Sequence, residues 1–397
     1  MNTTRLIFSG ARILSQQQWL DDHALIVENK IIKAIIPADM IKHHLPAKQY
    51  HFSPDFVLVP GFIDLHIHGA QGKDVMDDSD LAFQTISQAL AQEGVTGFLA
   101  TTMTAPSEKI ISILKKSAAI KNHLEGAALF GVHLEGPFIA PEKTGAQQIE
   151  FLQSPHADLI QQWQAASDNI IKLITLAPEL PGSNELIQSL VKMGIIVSVG
   201  HTNATYDQTK KAIDAGCSHA THLFNAMRGI HQREPGAVTA LLLSERVMTE
   251  IIVDGIHLHP AIVKLILQVK HKEHIVLVTD AMRAKCLGNG KYELGGQEVE
   301  VINERVTLAN GTLAGSVLRM PQAIKNVMQF TGCSLSDAVM MASYHPASVL
   351  GLQNKKGSIA MGKDADLVVM NGELEVVLTV RGGREVHFRR SIHNSLA

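Results

Sequence analysis

Cysteine is scarce. The 397 residues contain three, Cys217, Cys286 and Cys333, and no two form a C-x-x-C pair. That usage fits a reduced compartment, and a cytosolic location is expected. Long apolar runs are missing as well. No uninterrupted stretch approaches the roughly 20 residues of a membrane span. The opening residues, Met1-Asn2-Thr3-Thr4-Arg5-Leu6, show no long apolar core followed by a cleavage site, so no signal peptide is expected. Charge is modest: Lys, Arg, Asp and Glu make up 18% of the chain, and the net charge is −3 with His neutral. No basic run stands out, which argues against nucleic acid as a partner. Neither G-x-G-x-x-G nor a Walker A sequence follows any apolar run, which weakens a nucleotide-binding reading.

Apolar residues and histidine are plentiful. Hydrophobic residues reach 46% and there are 20 histidines. A sizeable core is expected and disorder is not. Both ends of the chain alternate in short β-like runs, Arg5 to Leu14 and Ala24 to Ile36 at one end, Ala365 to Met370, Glu375 to Val380 and Glu385 to Phe388 at the other. Neither end alone buries a core, so residues 1–58 and 353–397 are read as one small β-sandwich domain. Between them apolar strands alternate with amphipathic helices. The strands are expected at 62–68, 97–102, 127–135, 171–177, 195–201, 218–222, 249–254 and 275–280. Eight such units point to an α/β fold, a closed (β/α)₈ TIM barrel over residues 59–352, with an open doubly wound sheet as the alternative. The Gly-rich stretch 281–315 reads as an excursion above the barrel, a hairpin among its possibilities.

Most of these strands end in polar residues. His66 and His68 share a strand face. His133 and Glu135 end the third strand, His201 the fifth, His222 the sixth, Asp254 and His257 the seventh, and Asp280 the eighth. In a barrel those ends meet at one mouth. Singly, each residue has a structural explanation: an H-x-H on a polar sheet face, or Asp280 as a helix cap. As a set they are costly to bury unless paired or bound to metal. Glu135, His201 and His222 make a three-ligand divalent site with room for water, and His66 and His68 complete a second position bridged by Glu135. A bound metal lowers the pKa of its water toward neutrality, and Asp280 fits as general base, then acid. His133 is read as an orienting group. His219, three residues before His222, is read as a core or helix-facing histidine.

These stretches resemble the N-acetylglucosamine-6-phosphate deacetylases of the metal-dependent amidohydrolase superfamily. The markers are Pro60 to Gly69 (PGFIDLHIHG), His133 to Phe138 (HLEGPF), Gly200-His201-Thr202, Thr221 to Met227 (THLFNAM), Arg233 to Gly236 (REPG), Asp254 to His257 (DGIH), Thr279 to Met282 (TDAM) and Leu313 to Ser316 (LAGS). The resemblance implies an amidohydrolase barrel with a small β-domain from both termini, usually in a homodimer. It implies hydrolysis of N-acetylglucosamine 6-phosphate, a small-molecule amino-sugar phosphate, to glucosamine 6-phosphate and acetate. It assigns Glu135, His201 and His222 to the main metal, with His66 and His68 available for a second, so one or two divalent ions, zinc or iron, are expected. Asp280 matches the catalytic acid/base. Asn225, Ala226, Arg233 and His257 match substrate-binding positions, and Ala146, Leu313, Ala314 and Gly315 align with further sugar contacts. Some members replace the H-x-H and hold one metal. Some carry a histidine where Gln147 stands here, so that histidine's role does not transfer. The loop with Arg228, His231 and Arg233 is expected to reach across a dimer.

Two other readings remain at this point. One is a different amidohydrolase, such as an N-acyl-amino-acid deacetylase or a cyclic amidase. Glu135 at the end of the third strand disfavours the branch that uses a carboxylated lysine there. The other is a non-catalytic relative, disfavoured by the complete ligand set.

Overall fold

The structure, a computed structural model, describes residues 5–43 and 47–389. The opening Met1–Thr4 stretch read above lies outside the described residues. Eight parallel strands form the central sheet, in chain order β1 (Phe62–Ile67), β2 (Val95–Thr102), β3 (Ala128–Glu135), β4 (Ile171–Leu176), β5 (Ile196–Val199), β6 (His219–Ala220), β7 (Met248–Ile251) and β8 (Ile275–Leu277). Each strand pairs with the next. The barrel closes just beyond β8, where Asp280 N donates to His66 O at 2.8 Å and Ile67 bridges Ala281 in parallel.

The same seam is bonded one layer below. Asp64 Oδ2 accepts the Thr279 hydroxyl at 2.6 Å. Burial raises the Asp64 carboxyl to about 6, against the lowering influence of Lys285 and Thr279. All residues of β1 and β2 are buried, as strands covered on both faces require.

Helices pack outside. Asp80–Gln92 starts where Ser79 accepts the Ala82 amide, and it buries Phe83, Ile86 and Leu90. Tyr206–Ala215 opens with a reciprocal cap between Thr205 and Gln208. Such caps contribute about 1 kcal/mol each. Ser334 caps Leu335–Ala342 by accepting the Asp337 amide, as its sequence suggests. Gly236–Leu243 is a helix not marked by periodicity, because it is apolar nearly throughout.

Chain from both termini builds the small domain. One sheet has the order Ile31–Pro37, His23–Glu28, Arg5–Ser9, Lys48–His51. The other runs Arg384–Phe388, Val376–Arg381, Leu367–Met370, Val57–Pro60, Arg12–Ser15, Gln18–Leu20. Leu6, Phe8, Ile13, Leu25, Leu58, Val369 and Leu378 belong to one shared core.

The excursion after β8 is a three-stranded antiparallel meander, Gly290–Leu294, Gln297–Ile302 and Arg305–Leu308, one strand more than a hairpin. Its apolar side makes a satellite core with Met103, Ala146 and Ala314. That core holds one wall of the cavity at the barrel mouth.

Candidate metal and catalytic site

A cavity of about 550 Å³ opens at the C-terminal ends of the barrel strands, with His68, Glu135, His201, His222 and Asp280 in its lining. Glu135 ends β3, but β5, β6 and β8 stop short of His201, His222 and Asp280, which sharp backbone turns aim. His201, His222 and Asp280 have φ of 47°, 29° and 48°. Non-glycine residues rarely adopt the left-handed region, and such strain clusters at functional sites.

Glu135 is the common point. Its Oε1 lies 3.1 Å from His201 Nε2, 3.1 Å from His222 Nε2 and 3.4 Å from His66 Nε2. Its Oε2 lies 3.4 Å from His68 Nε2 and accepts from Gln147 Nε2 at 2.8 Å. Asp280 Oδ1 sits 3.2 Å from His68 Nε2 and 3.4 Å from His66 Nε2. Two donor sets therefore share one wall: Glu135, His201 and His222 form one, and His66, His68 and Asp280 the other.

The chemistry of these donors fits divalent metal. His201 Nδ1 faces the Lys143 carbonyl at 2.8 Å and His66 Nδ1 faces Glu250 Oε2 at 3.0 Å. Both oxygens only accept, so each Nδ1 carries a hydrogen and Nε2 is the atom each ring can offer to a metal. His201 Nε2 and His222 Nε2 are 3.1 Å apart, and His66 Nε2 is buried with no hydrogen-bond partner. Lone pairs gathered this closely need a positive charge among them.

The local field agrees. Burial opposes charge on His68, but Asp280 and Glu135 raise its pKa to about 9. Burial likewise opposes charge on His66, and Asp280, Glu135 and Glu250 together lift it well above its ordinary value. Glu135 is pushed up by burial, yet His66, His201 and His222 hold it well below the carboxylate range. Asp280 is held low by His66 and His68, against burial. These carboxylates favour cationic charge at the rings, a demand that a divalent ion also meets.

The remaining expected residues divide. Ala146, Asn225, Ala226, His257, Leu313 and Gly315 line the cavity. Ala314 is buried in the satellite core between two lining neighbours. His257 Nδ1 bonds Asp254 Oδ2 at 2.6 Å, leaving Nε2 available to a ligand. Burial works against charge on His257, but Asp254 raises its pKa above the usual histidine value. Arg233 is exposed, in a run of exposed residues from Gly229 to Glu234, and is not among the residues that line this cavity.

His133 does not touch Glu135's oxygens. Its Nε2 bonds Thr175 Oγ1 at 2.7 Å and its ring packs edge-on to His66, centroids 4.6 Å apart. Burial, then His66, lowers it to about 3. His219 is a core residue bonded to Ser198 Oγ at 3.1 Å. Sequence reasoning passed over Glu250, which lies inside β7 instead of at its end. The available signal is a lone carboxylate just before the apolar run Ile251-Ile252-Val253.

A barrel mouth of this composition defines a metal-dependent hydrolase. The Amidohydrolase family matches residues 57–386, and the NagA composite domain matches residues 7–49. The chain is 40% identical over 385 residues to the N-acetylglucosamine-6-phosphate deacetylase of Bacillus subtilis, covering 93% of this chain and 97% of that one. It is 38% identical over 371 residues to the N-acetylgalactosamine-6-phosphate deacetylase of Escherichia coli O157:H7, with 93% and 96% covered. The crystal structure of N-acetylglucosamine-6-phosphate deacetylase from Pasteurella multocida matches with a TM-score of 0.91 at 32% identity, covering 96% and 99% of the two chains. The chain belongs to the amidohydrolase family, in its N-acetylglucosamine-6-phosphate deacetylase branch.

Proposed function

We propose that this enzyme hydrolyses the N-acetyl group of N-acetylglucosamine 6-phosphate, releasing glucosamine 6-phosphate and acetate. The observation that carries the reading is the convergence of Glu135, His201 and His222, with Asp280 facing the same cavity. One or two divalent ions, zinc or iron, suit these donors: Glu135, His201 and His222 would hold the first, and His66 and His68 a second beside Glu135. When bound, such an ion supplies Lewis acidity and lowers the pKa of water at the site.

The chain supplies the proton transfers and the positioning. Asp280, an acceptor at the mouth, takes a proton from the attacking water as the new C–O bond forms at the acetyl carbon. It then delivers that proton to the sugar nitrogen as the C–N bond breaks. His257, fixed by Asp254, is suited to hydrogen-bond the sugar or its carbonyl oxygen. Ala146, Asn225, Ala226 and the Leu313-Ala314-Gly315 segment flank the sugar.

A cationic fork such as Arg233 suits the phosphate. Its exposed position supports a homodimer in which the loop with Arg228, His231 and Arg233 reaches the cavity of a second copy. No helix among the described residues is long and apolar enough to cross a membrane, and the scarcity of cysteine favours a cytoplasmic setting.

Acetate release from N-acetylglucosamine 6-phosphate, its galactosamine epimer and unphosphorylated N-acetylglucosamine tests the assignment. Preference for the first supports it. Equal turnover with and without phosphate removes the phosphate role of Arg233, and turnover of the galactosamine epimer alone replaces the substrate.

A further inference from the structure

Beneath the cavity the barrel holds a ring of polar groups where apolar packing is the rule. Thr175 Oγ1 joins His133 Nε2 and Thr221 Oγ1, at 2.7 Å each. Thr221 Oγ1 meets Ser198 Oγ at 2.5 Å, and Ser198 Oγ reaches His219 Nδ1 at 3.1 Å. His219 Nε2 lies 3.8 Å from Glu250 Oε1. Glu250 closes the path to His66.

A fully buried carboxylate is expensive unless its partners compensate it. Glu250 pairs with no lysine or arginine among the described ion pairs; its close partners are histidines and one backbone amide. Its single oxygen Oε2 accepts twice, from His66 Nδ1 at 3.0 Å and from the His222 amide at 3.2 Å. Those two partners belong to different donor sets of the mouth. The first bond fixes the His66 ring with Nε2 toward Glu135 and Asp280. The second holds the backbone at His222, where φ is 29°. A carboxylate behind a ligating imidazole fixes its tautomer and strengthens it as a donor.

We propose that Glu250 is a positioning residue for metal binding: it presents His66 as an Nε2 ligand of the second metal position and ties that position to His222 of the first. The inference rests on the deacetylase reading only in requiring bound divalent metal.

The test is a Co²⁺ titration of metal-free wild type, Glu250→Gln and Glu250→Leu, followed by visible absorption and checked by elemental analysis, with thermal unfolding of each metal-free protein as the control for folding. Gln keeps an oxygen for His66 and removes the charge; Leu removes both. Wild type is expected to take two equivalents. The second should weaken progressively through Gln and Leu, by about tenfold or more in Leu, while the first stays bound in all three. Equal affinity for the second equivalent in wild type and Leu overturns the proposal, as does a wild type that takes only one. If Leu fails to fold, Glu250→Gln decides: about tenfold weakening supports the proposal and wild-type affinity overturns it. Acetate release by wild type is read separately, so failure of the substrate assignment would remain distinguishable.

Discussion

Gln147 donates its side-chain hydrogen to Glu135 Oε2 at 2.8 Å, and its own Oε1 accepts the Thr104 amide at 2.6 Å. The amide is thus locked in one orientation, with its donor against the carboxylate that faces the rings of both donor sets. Removing it frees that oxygen to rotate. Gln147→Leu should weaken binding of the metal by about 10- to 100-fold, measured by competition with a chelator, with little change in thermal unfolding of the metal-free protein.

Asp280 has a different expected phenotype. Asp280→Asn keeps the shape but cannot take a proton, so kcat should fall by about 10²- to 10⁴-fold. Metal content by elemental analysis should stay at the wild-type level. Loss of metal instead would make Asp280 chiefly a ligand.

Removing metal should be reversible. Dialysis against a chelator is expected to abolish acetate release, and added Zn²⁺ or Fe²⁺ to restore it. His201→Ala and His222→Ala, each removing one of the three proposed ligands, should not recover under the same treatment.

The pair of Asp254 and His257 predicts a pH effect. The His257 pKa is raised in the fold, where burial opposes the charge and the Asp254 hydrogen bond outweighs it. Below the unfolded value of about 6.5 the ring is protonated in both states and the pair stabilises fully; that contribution fades as pH rises through the higher folded value. Asp254→Asn removes the support. The variant should lose stability mainly at acidic to neutral pH, with the difference from wild type shrinking in alkali. Denaturant unfolding across pH 5 to 9 measures this.

Much of this arrangement is legible in the sequence, since parallel buried strands are apolar and their ends are not. Glu135 and Asp280 stand out where apolar runs stop. Period-two reasoning fails where the strand stops being a strand. β6 comprises only His219 and Ala220, and His222 is aimed by a left-handed turn that no alternation rule foresees. Glu250 was hidden for the opposite reason: it sits within a strand, and only tertiary contacts distinguish a positioning carboxylate from an outward-facing one. The Gly236–Leu243 helix escaped notice because burial nearly all round removes the amphipathic signal. The exposure of Arg233 depends on the path of its loop, which residue types do not specify.

Asp64 and Thr279, 215 positions apart, are bonded where the last barrel strand meets the first. His66 and Asp280 flank that junction and share its backbone hydrogen bond. A chain still lacking its final third therefore carries His66, His68, His201, His222 and His257 but not Asp280. The carboxylate of Asp280 reaches the mouth only with the last turn of the circle, since its backbone is held there by the bond that joins the final strand to the first.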